Sequence, residues 1–409
     1  MRTGMMWSAM QRLEGSDGMG ADGPGWRLSR SLIQPLFTAK AIGALVPGMV
    51  DAINEAVDNI AERTRSAPTV DLAEEMMRIT HRVLGRVFLG DRISAEEADA
   101  VGSGIATAFG SMQSRLALPF VSHRIPLPGD RTFNRATQAV DAILLPHIEH
   151  ARKTAEDAVK RAALQAASNG ASHVNDEPER TDLVWTLAHA TDEQGKPLDV
   201  RKVRDDVVAL FTAGTETTSL TLTWTFAMLD SRPDIRAKVT AEVDRVVGDG
   251  PVTGAHVKEL TYTRMVLEES LRMYPPAWMI PRTLQAPDEL AGVPLPAGTT
   301  VILSPYMTHR MPHLWDEPEQ FDPERFADGA QRDRHPYAFF PFGGGVHRCL
   351  GSHFFSIEAT LATAALVSRF RMRLRSSEPI RPTVSVSLRP KGKILMEVTP
   401  HLRGSTMDA

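Results

Sequence analysis

The sequence predicts a mainly α protein with small β-sheets. Apolar residues recur at three- and four-residue spacing through residues 41–165, as in Val46, Met49, Val50, Ile53 and Val57, the pattern of amphipathic helices. Residues 199–231 read as one uninterrupted helix. Strand-like alternation is confined to the last third of the chain, around Thr299–Leu303 and Thr383–Val398.

Each element has a local reason. Pro119, Pro126 and Pro128 fall within 115–131, so a helix must break there. The stretch 167–181 is rich in Ser, Asn, Gly, Asp and Pro and reads as a surface loop between helices. Asp199 suits the N-cap of the long helix, and Pro233 follows its end. At about 1.5 Å per residue that helix is roughly 50 Å long. Residues 234–247 and 255–274 read as two more helices, the second stopped by Pro275 and Pro276. The run 293–298 reads as a turn into strand 299–303, and 352–368 as a helix. Residues 383–388 alternate with period two, turn at Pro390-Lys391-Gly392, and pair with 394–398 as a hairpin. No repeat or composition shift marks a second domain, so residues 1–409 read as one.

Bulk properties exclude more than they identify. The chain is 42% hydrophobic and 23% charged, with a net charge of −4. Nothing there points to nucleic acid or an anionic membrane. No secretory signal is evident, and no apolar run is long enough to span a bilayer. The single cysteine fits a reducing compartment. It also rules out an internal disulfide and any multi-cysteine zinc or iron–sulfur site.

That cysteine is the most informative residue. Cys349 lies in Phe342-Gly343-Gly344-Gly345-Val346-His347-Arg348-Cys349-Leu350-Gly351. A lone Cys is often a small buried hydrophobe. Here the glycines let the backbone approach something flat and bulky, and the cationic neighbours favour a thiolate. Together they suggest a thiolate aimed at a metal. The run fits Phe-x-x-Gly-x-x-x-Cys-x-Gly and resembles the cytochromes P450, the haem-thiolate monooxygenases.

Further runs carry the same resemblance. Ala213-Gly214-Thr215-Glu216-Thr217-Thr218 places a glycine and three threonines inside the long helix, each costing several tenths to about 1 kcal/mol relative to Ala. Threonines that merely bond back to the preceding turn are the plain reading. The resemblance implies that the helix opens beside the iron. Gly214 then makes room for O2, and Glu216 with Thr217 manages protons. Glu269 and Arg272 share a helix face, an ordinary ion pair by itself. With Arg325 of Pro323-Glu324-Arg325-Phe326 they match the family's buried Glu–Arg–Arg network. Trp26 and Arg30 share a face of another helix, and Pro35-Leu36-Phe37-Thr38 after it also fits. The resemblance places Trp26, Arg30, Arg282 and His347 at the haem propionates, and Phe342 and Gly345 against the haem beside the sulfur. Arg27, Arg30 and Lys40 read either as a basic face for an acidic electron donor or as a solvated helix face. Phe211, Trp278, Met279 and Val384 line the substrate pocket by resemblance, or are plain core.

The resemblance implies a cytochrome P450 fold with haem b held between the long central helix and the cysteine loop. It implies oxygen insertion into an apolar organic substrate. Electrons come from NAD(P)H through a separate ferredoxin- or flavodoxin-type donor and its reductase, since the chain carries no such module. Localisation is expected to be cytoplasmic by analogy. The intact Glu216–Thr217 pair argues against a peroxygenase, isomerase or dehydratase that needs no O2-linked protons. A haem- or ligand-binding protein without turnover is the remaining alternative. Trp26 lies close to residue 1, whereas the family carries several tens of residues, two helices and sheet strands before this helix. The chain is therefore expected to lack them.

Overall fold

The structure is a computed structural model and describes residues 5–118, 120–122, 124–168, 182–330, 334–376 and 378–401. In chain order the elements are α1 (Met5–Glu14), α2 (Pro24–Ile33), α3 (Ala39–Ser66), β1 (Thr69–Asp71), α4 (Leu72–Leu89), α5 (Ala95–Ser111), α6 (Gln113–Ala117), α7 (Asp130–Ser168), α8 (Leu183–His189) and α9 (Val200–Ser231). They continue as α10 (Pro233–Val247), α11 (Thr261–Met273), β2 (Ile280–Thr283), β3 (Asp288–Leu290), β4 (Val293–Leu295), β5 (Thr300–Leu303), α12 (Pro305–Thr308), α13 (Ser352–Arg369), β6 (Phe370–Leu374), β7 (Pro382–Val384), β8 (Leu388–Pro390) and β9 (Leu395–Pro400). Helix dominates, as the periodicity predicts. The chain divides into two compact units, one of residues 1–45, 84–213 and 283–299, the other of 46–83, 214–282 and 300–409.

The first unit is helical apart from the β3–β4 hairpin. Its packing centres on α5 against α7. Gly104 permits that approach, because a Cβ there would lie 2.7 Å from a Val140 methyl. Ser94 and Glu97 cap α5 reciprocally, at 3.1 and 2.9 Å. The expected break in 115–131 is present, since α6 ends at Ala117 and α7 starts at Asp130. The buried Arg115 gathers the chain between them, donating to the carbonyls of Val121, Ser122 and Ile125 and to Asp130. Of the loop expected at 167–181, residues 167 and 168 close α7, and 169–181 lie outside the described residues.

The second unit is built on α13, whose residues from Phe354 to Val367 are almost all buried. A helix apolar all round is a core helix. It packs on α10 and α11. Beside it β9 lies in the centre of an antiparallel sheet ordered β1-β9-β6. The residues 345–369 are long and apolar enough to cross a membrane by composition, but that window is mostly buried within the protein.

Three expectations need correction. The helix read over 255–274 is a 3-10 turn at Gly254–Lys258 followed by α11. The Glu242 carboxylate of α10 accepts the Tyr262 and Thr263 amides at 2.7 and 2.8 Å, so the helix starts where that cap sits. The run 293–298 is not all turn. Val293–Leu295 pairs with Asp288–Leu290 across Ala291 and Gly292, both at positive φ, as a two-residue hairpin turn requires. The C-terminal hairpin is also different. β7 pairs with β8, register Thr383↔Arg389, while β9 pairs with β1 and β6. The chain reverses at Ser385–Ser387, where the Ser385 amide donates to the Ser387 carbonyl. Six alternating residues were two short strand arms and a turn.

Candidate active site

In the second unit Cys349 stands exposed at the end of a loop that leads into α13. Its amide donates to the Phe342 carbonyl at 3.0 Å, and the Gly343 amide to the Phe340 carbonyl at 3.0 Å. These two bonds fold 340–349 into a tight turn. Gly343 and Gly345 both adopt φ of +67°, a conformation that suits glycine. Apart from its own chain neighbours, no described atom lies within 4 Å of where a Gly345 Cβ would point, so that side is open. Phe342 packs on Phe355 of α13, centroids 5.6 Å apart. His347 closes a 3-10 turn two residues before the thiol. The exposed thiol excludes the plain reading of a buried hydrophobe.

This loop is braced from behind. Arg272 and Glu269 are fully buried on α11 and paired at 2.6 and 2.8 Å. Arg272 also donates to the carbonyls of His309, Pro318 and Gln320, so its guanidinium N–H groups are all used. Arg325 approaches Glu269 at 3.6 Å and donates to the Glu317 carbonyl. The three residues of the expected network are thus brought together, with Arg272 as its centre. His309 joins α11 to the loop. Its Nδ1 lies 3.1 Å from the Arg272 carbonyl and its Nε2 3.0 Å from the Phe340 amide.

Within α9, Asp199 caps the first turn, accepting the Arg201 amide at 2.7 Å. The helix is largely buried, yet Ala213 is exposed and Gly214, Glu216 and Thr217 are half-buried. The α-helix itself runs unbroken through the predicted motif, so the expected opening of its backbone is not seen, and what is open is one face of it. Several hydroxyls bond back one turn, among them Thr212 to Val208, Thr221 to Thr217 and Thr225 to Thr221. Glu216 is held instead by a distant partner. Arg389 of β8 donates to its Oε1 from Nε and Nη2, at 2.9 and 2.5 Å. On α13, Glu358 is completely buried and neither carboxyl oxygen has a hydrogen bond. Burial pushes it up to about 8, with the nearby Thr218 hydroxyl drawing it partly back.

The predicted pocket residues divide. Trp278 donates to the Ser385 carbonyl at 3.0 Å, which brings it beside Val384, 66% exposed. Met279 is half-buried next to Trp278. Arg282 is half-buried on β2 and donates to the Pro281 carbonyl. Phe211 is fully buried and packs edge-on against Phe88, centroids 5.8 Å apart, the setting of a core residue.

In the first unit Trp26 and Arg30 are half-buried on α2, and Arg27 and Lys40 are exposed. Ser29, between them, is buried and donates to Asp206 at 2.8 Å. Asp206 also accepts the Met19 amide at 2.9 Å. The glycines of the preceding segment make this possible, because a Cβ on Gly18 would lie 2.6 Å from the Asp206 carboxylate. The carboxylate thereby fixes the approach to α2.

Among the described residues no three His, Cys, Asp or Glu side chains cluster as a metal cage. A single exposed sulfur donor suits an iron whose other positions a macrocycle fills, so the residues present fit haem. Sequence reasoning missed Arg389, His309, Asp206 and Glu358. Only Glu358 carried a signal, as the one acid inside the otherwise apolar and small-residue run of α13.

Comparison with known proteins agrees with this geometry. The sequence model of a family described as Cytochrome P450 matches residues 7–397. Cyclooctat-9-en-7-ol 5-monooxygenase of Streptomyces melanosporofaciens is 32% identical over 85% of this chain and 70% of its own length. Pentalenene oxygenase of Streptomyces avermitilis is 28% identical over 86% of this chain and 74% of its own. The crystal structure of the cytochrome P450DA heme domain has the same fold, with a TM-score of 0.80 over 97% of this chain and 82% of that one, at 24% identity.

Proposed function

Since this chain belongs to the cytochrome P450 family and is a haem monooxygenase, we propose that Cys349 is its axial thiolate and that Glu216 and Thr217 manage the protons of the reaction. The observation that carries the assignment is the exposed Cys349 thiol, presented on a glycine turn that α11 braces. When bound through a thiolate, haem supplies the electron push that favours O–O cleavage. The residues of the chain do the rest. Insertion of one oxygen atom consumes two protons and two electrons and releases water. Thr217 Oγ1 donates toward the open face of α9, and Glu216 replenishes it through water. Arg389 sets the orientation of the Glu216 carboxylate by its two hydrogen bonds. Gly214 leaves space on that face. Trp26 and Arg30 hold one haem propionate, and Arg282 and His347 the other, since guanidinium and imidazole groups pair well with carboxylates. Phe342 and Gly345 shield the sulfur side.

The electrons derive from NAD(P)H through redox partners, and the substrate is hydrophobic. We take the donor to be a ferredoxin or flavodoxin with its reductase, met by the exposed Arg27 and Lys40 beside Arg30. The substrate is a terpene-like ring system, on the names of the two Streptomyces relatives. Trp278, Met279 and Val384 line its pocket, while the burial of Phe211 supports a packing role there. We take the chain to act as one domain in the cytoplasm, which the single cysteine supports.

The ferrous–carbon monoxide difference spectrum of the purified, haem-loaded chain tests the ligand. The red-shifted thiolate band is expected, and its persistence in Cys349→Ala would refute the assignment. Turnover with cyclooctat-9-en-7-ol, pentalenene and a fatty acid tests the substrate class, and activity on the fatty acid alone would reject a terpene. Thr217→Ala is expected to divert reducing equivalents into peroxide by about 10-fold or more. Unchanged coupling of NADPH to product would remove Thr217 from the proton path.

A further inference from the structure

We infer that His309 is the positioning residue for the cysteine loop, holding the loop entrance through the Phe340 amide. The inference deepens the reading of Cys349 as iron ligand and rests on it. The imidazole is fully buried. It is enclosed by Phe339, Phe340 and Trp315, with ring centroids 5.1, 5.5 and 6.4 Å away. Both ring nitrogens are occupied, Nδ1 at 3.1 Å from the Arg272 carbonyl and Nε2 at 3.0 Å from the Phe340 nitrogen.

Those partners assign the tautomer. An amide N–H can only donate, so Nε2 carries no proton and accepts. A carbonyl can only accept, so Nδ1 carries the proton. The bridge needs a neutral ring. Burial, with the adjacent Arg272 and Arg310 charges, pushes the imidazole down to about 3, so the ring is neutral and the bridge intact around neutral pH. His309 is therefore a fixed strut.

The strut completes a continuous series. The Arg272 guanidinium fixes the chain at 309–320. The Arg272 carbonyl receives His309 Nδ1–H, and His309 Nε2 receives the Phe340 amide. The Phe340 carbonyl receives Gly343, and the Phe342 carbonyl receives the Cys349 amide itself, both at 3.0 Å. Without the imidazole, the half-buried Phe340 amide loses its acceptor. The loop can then relax by moving 340–343, and Cys349 moves with it. An unmade hydrogen bond away from full solvent has that consequence more than a lost contact does.

Two substitutions separate the halves of the bridge. His309→Gln keeps an acceptor near the Nε2 position, whereas His309→Asn keeps a group near Nδ1 and leaves the Phe340 amide bare. Each haem-loaded variant is read by its ferrous–carbon monoxide spectrum, which reports the ratio of thiolate-bound to non-thiolate forms. His309→Gln is expected to stay near wild type, and His309→Asn to lower that ratio about 10-fold, the scale of one lost hydrogen bond. Equal spectra in the two variants would overturn the inference. Should neither fold, the imidazole 15N resonances of the wild-type ferrous–carbon monoxide protein decide. A protonated Nδ1 with a bare Nε2 supports the strut, and the reverse tautomer overturns it. A wild-type protein with no thiolate band would instead refute the Cys349 assignment, and the tautomer measurement would still report on His309.

Discussion

Two buried carboxyl groups of the same unit, Glu269 and Glu358, are both pushed up by burial but differ in what opposes it. Both are fully buried on helices that pack together, α11 and α13. Glu269 receives two N–H groups of Arg272 at 2.6 and 2.8 Å and the Asp322 amide at 2.8 Å. Glu358 has no cation or amide aimed at it, only the nearby Thr218 hydroxyl, and burial pushes it up to about 8. Burial alone therefore does not decide whether a carboxyl is charged inside a protein. The donors aimed at it do. The first carboxylate is an ionic tie that organises the approach to the cysteine loop. The second is a neutral acid that folding keeps protonated.

Breaking the tie gives the largest expected effect. Arg272→Gln leaves Glu269 without its partner and strips the donors from three carbonyls. Removing one partner of such a buried pair costs about 3–5 kcal/mol. The urea midpoint of the variant should fall accordingly, with little haem retained. A loss under about 1 kcal/mol would mean that solvent reaches Glu269, and the contrast with Glu358 would collapse.

Glu358 is expected to show itself through pH. An acid whose folded pKa is raised keeps a proton that the unfolded chain has already released. Its burial therefore adds no pH-dependent cost below about pH 4.5, and stability falls as the pH rises from there to about 8. At about 1.4 kcal/mol per unit, that slope amounts to up to several kcal/mol. Two buried imidazoles act in the opposite sense. His81 and His309 are pushed down to about 4 and about 3, so each adds stability as pH rises toward 6.5, its unfolded value. Glu358→Gln removes only the first contribution. The variant should gain on wild type steadily between pH 5 and 8 in urea titrations at matched pH. A constant difference across that range would show that Glu358 is ionised or solvated.

The same contrast explains what was legible in the sequence. Glu269 and Arg272 were visible because an i, i+3 pair on one helix needs only the helical repeat, and Cys349 because glycine spacing and a lone sulfur are local. The long α9 and its Asp199 cap were local too. Glu358 was missed although it is an oddity in α13, and its lack of charged partners is a property of packing. Arg389 reaches Glu216 across 173 residues, and His309 reaches Phe340 across 31. No periodicity records such partners. The C-terminal strands were misread for the same reason. Alternation announces a strand but not its neighbour, and β9 pairs with β1, more than 300 residues away.

The smallest expected effect sharpens the tie itself. The buried network contains two arginines, and the sequence gives no reason to rank them. Arg272 is fully buried with all of its N–H groups used, whereas Arg325 keeps 10% exposure and stands 3.6 Å from Glu269, beyond hydrogen-bond contact at its Nε. Its Nη2 donates to the Glu317 carbonyl at 2.8 Å. Arg325→Gln therefore removes one long charge contact and one carbonyl donor near water, which corresponds to about 1 kcal/mol. Denaturation of the two single variants and the double variant tests the ranking. With Arg272 replaced, Glu269 loses its hydrogen-bonded cation and leans on Arg325, so the second substitution should cost more in that background than alone. Equal costs in both backgrounds would make Arg325 a tether for the 317–325 segment only, with no share in the charge of Glu269.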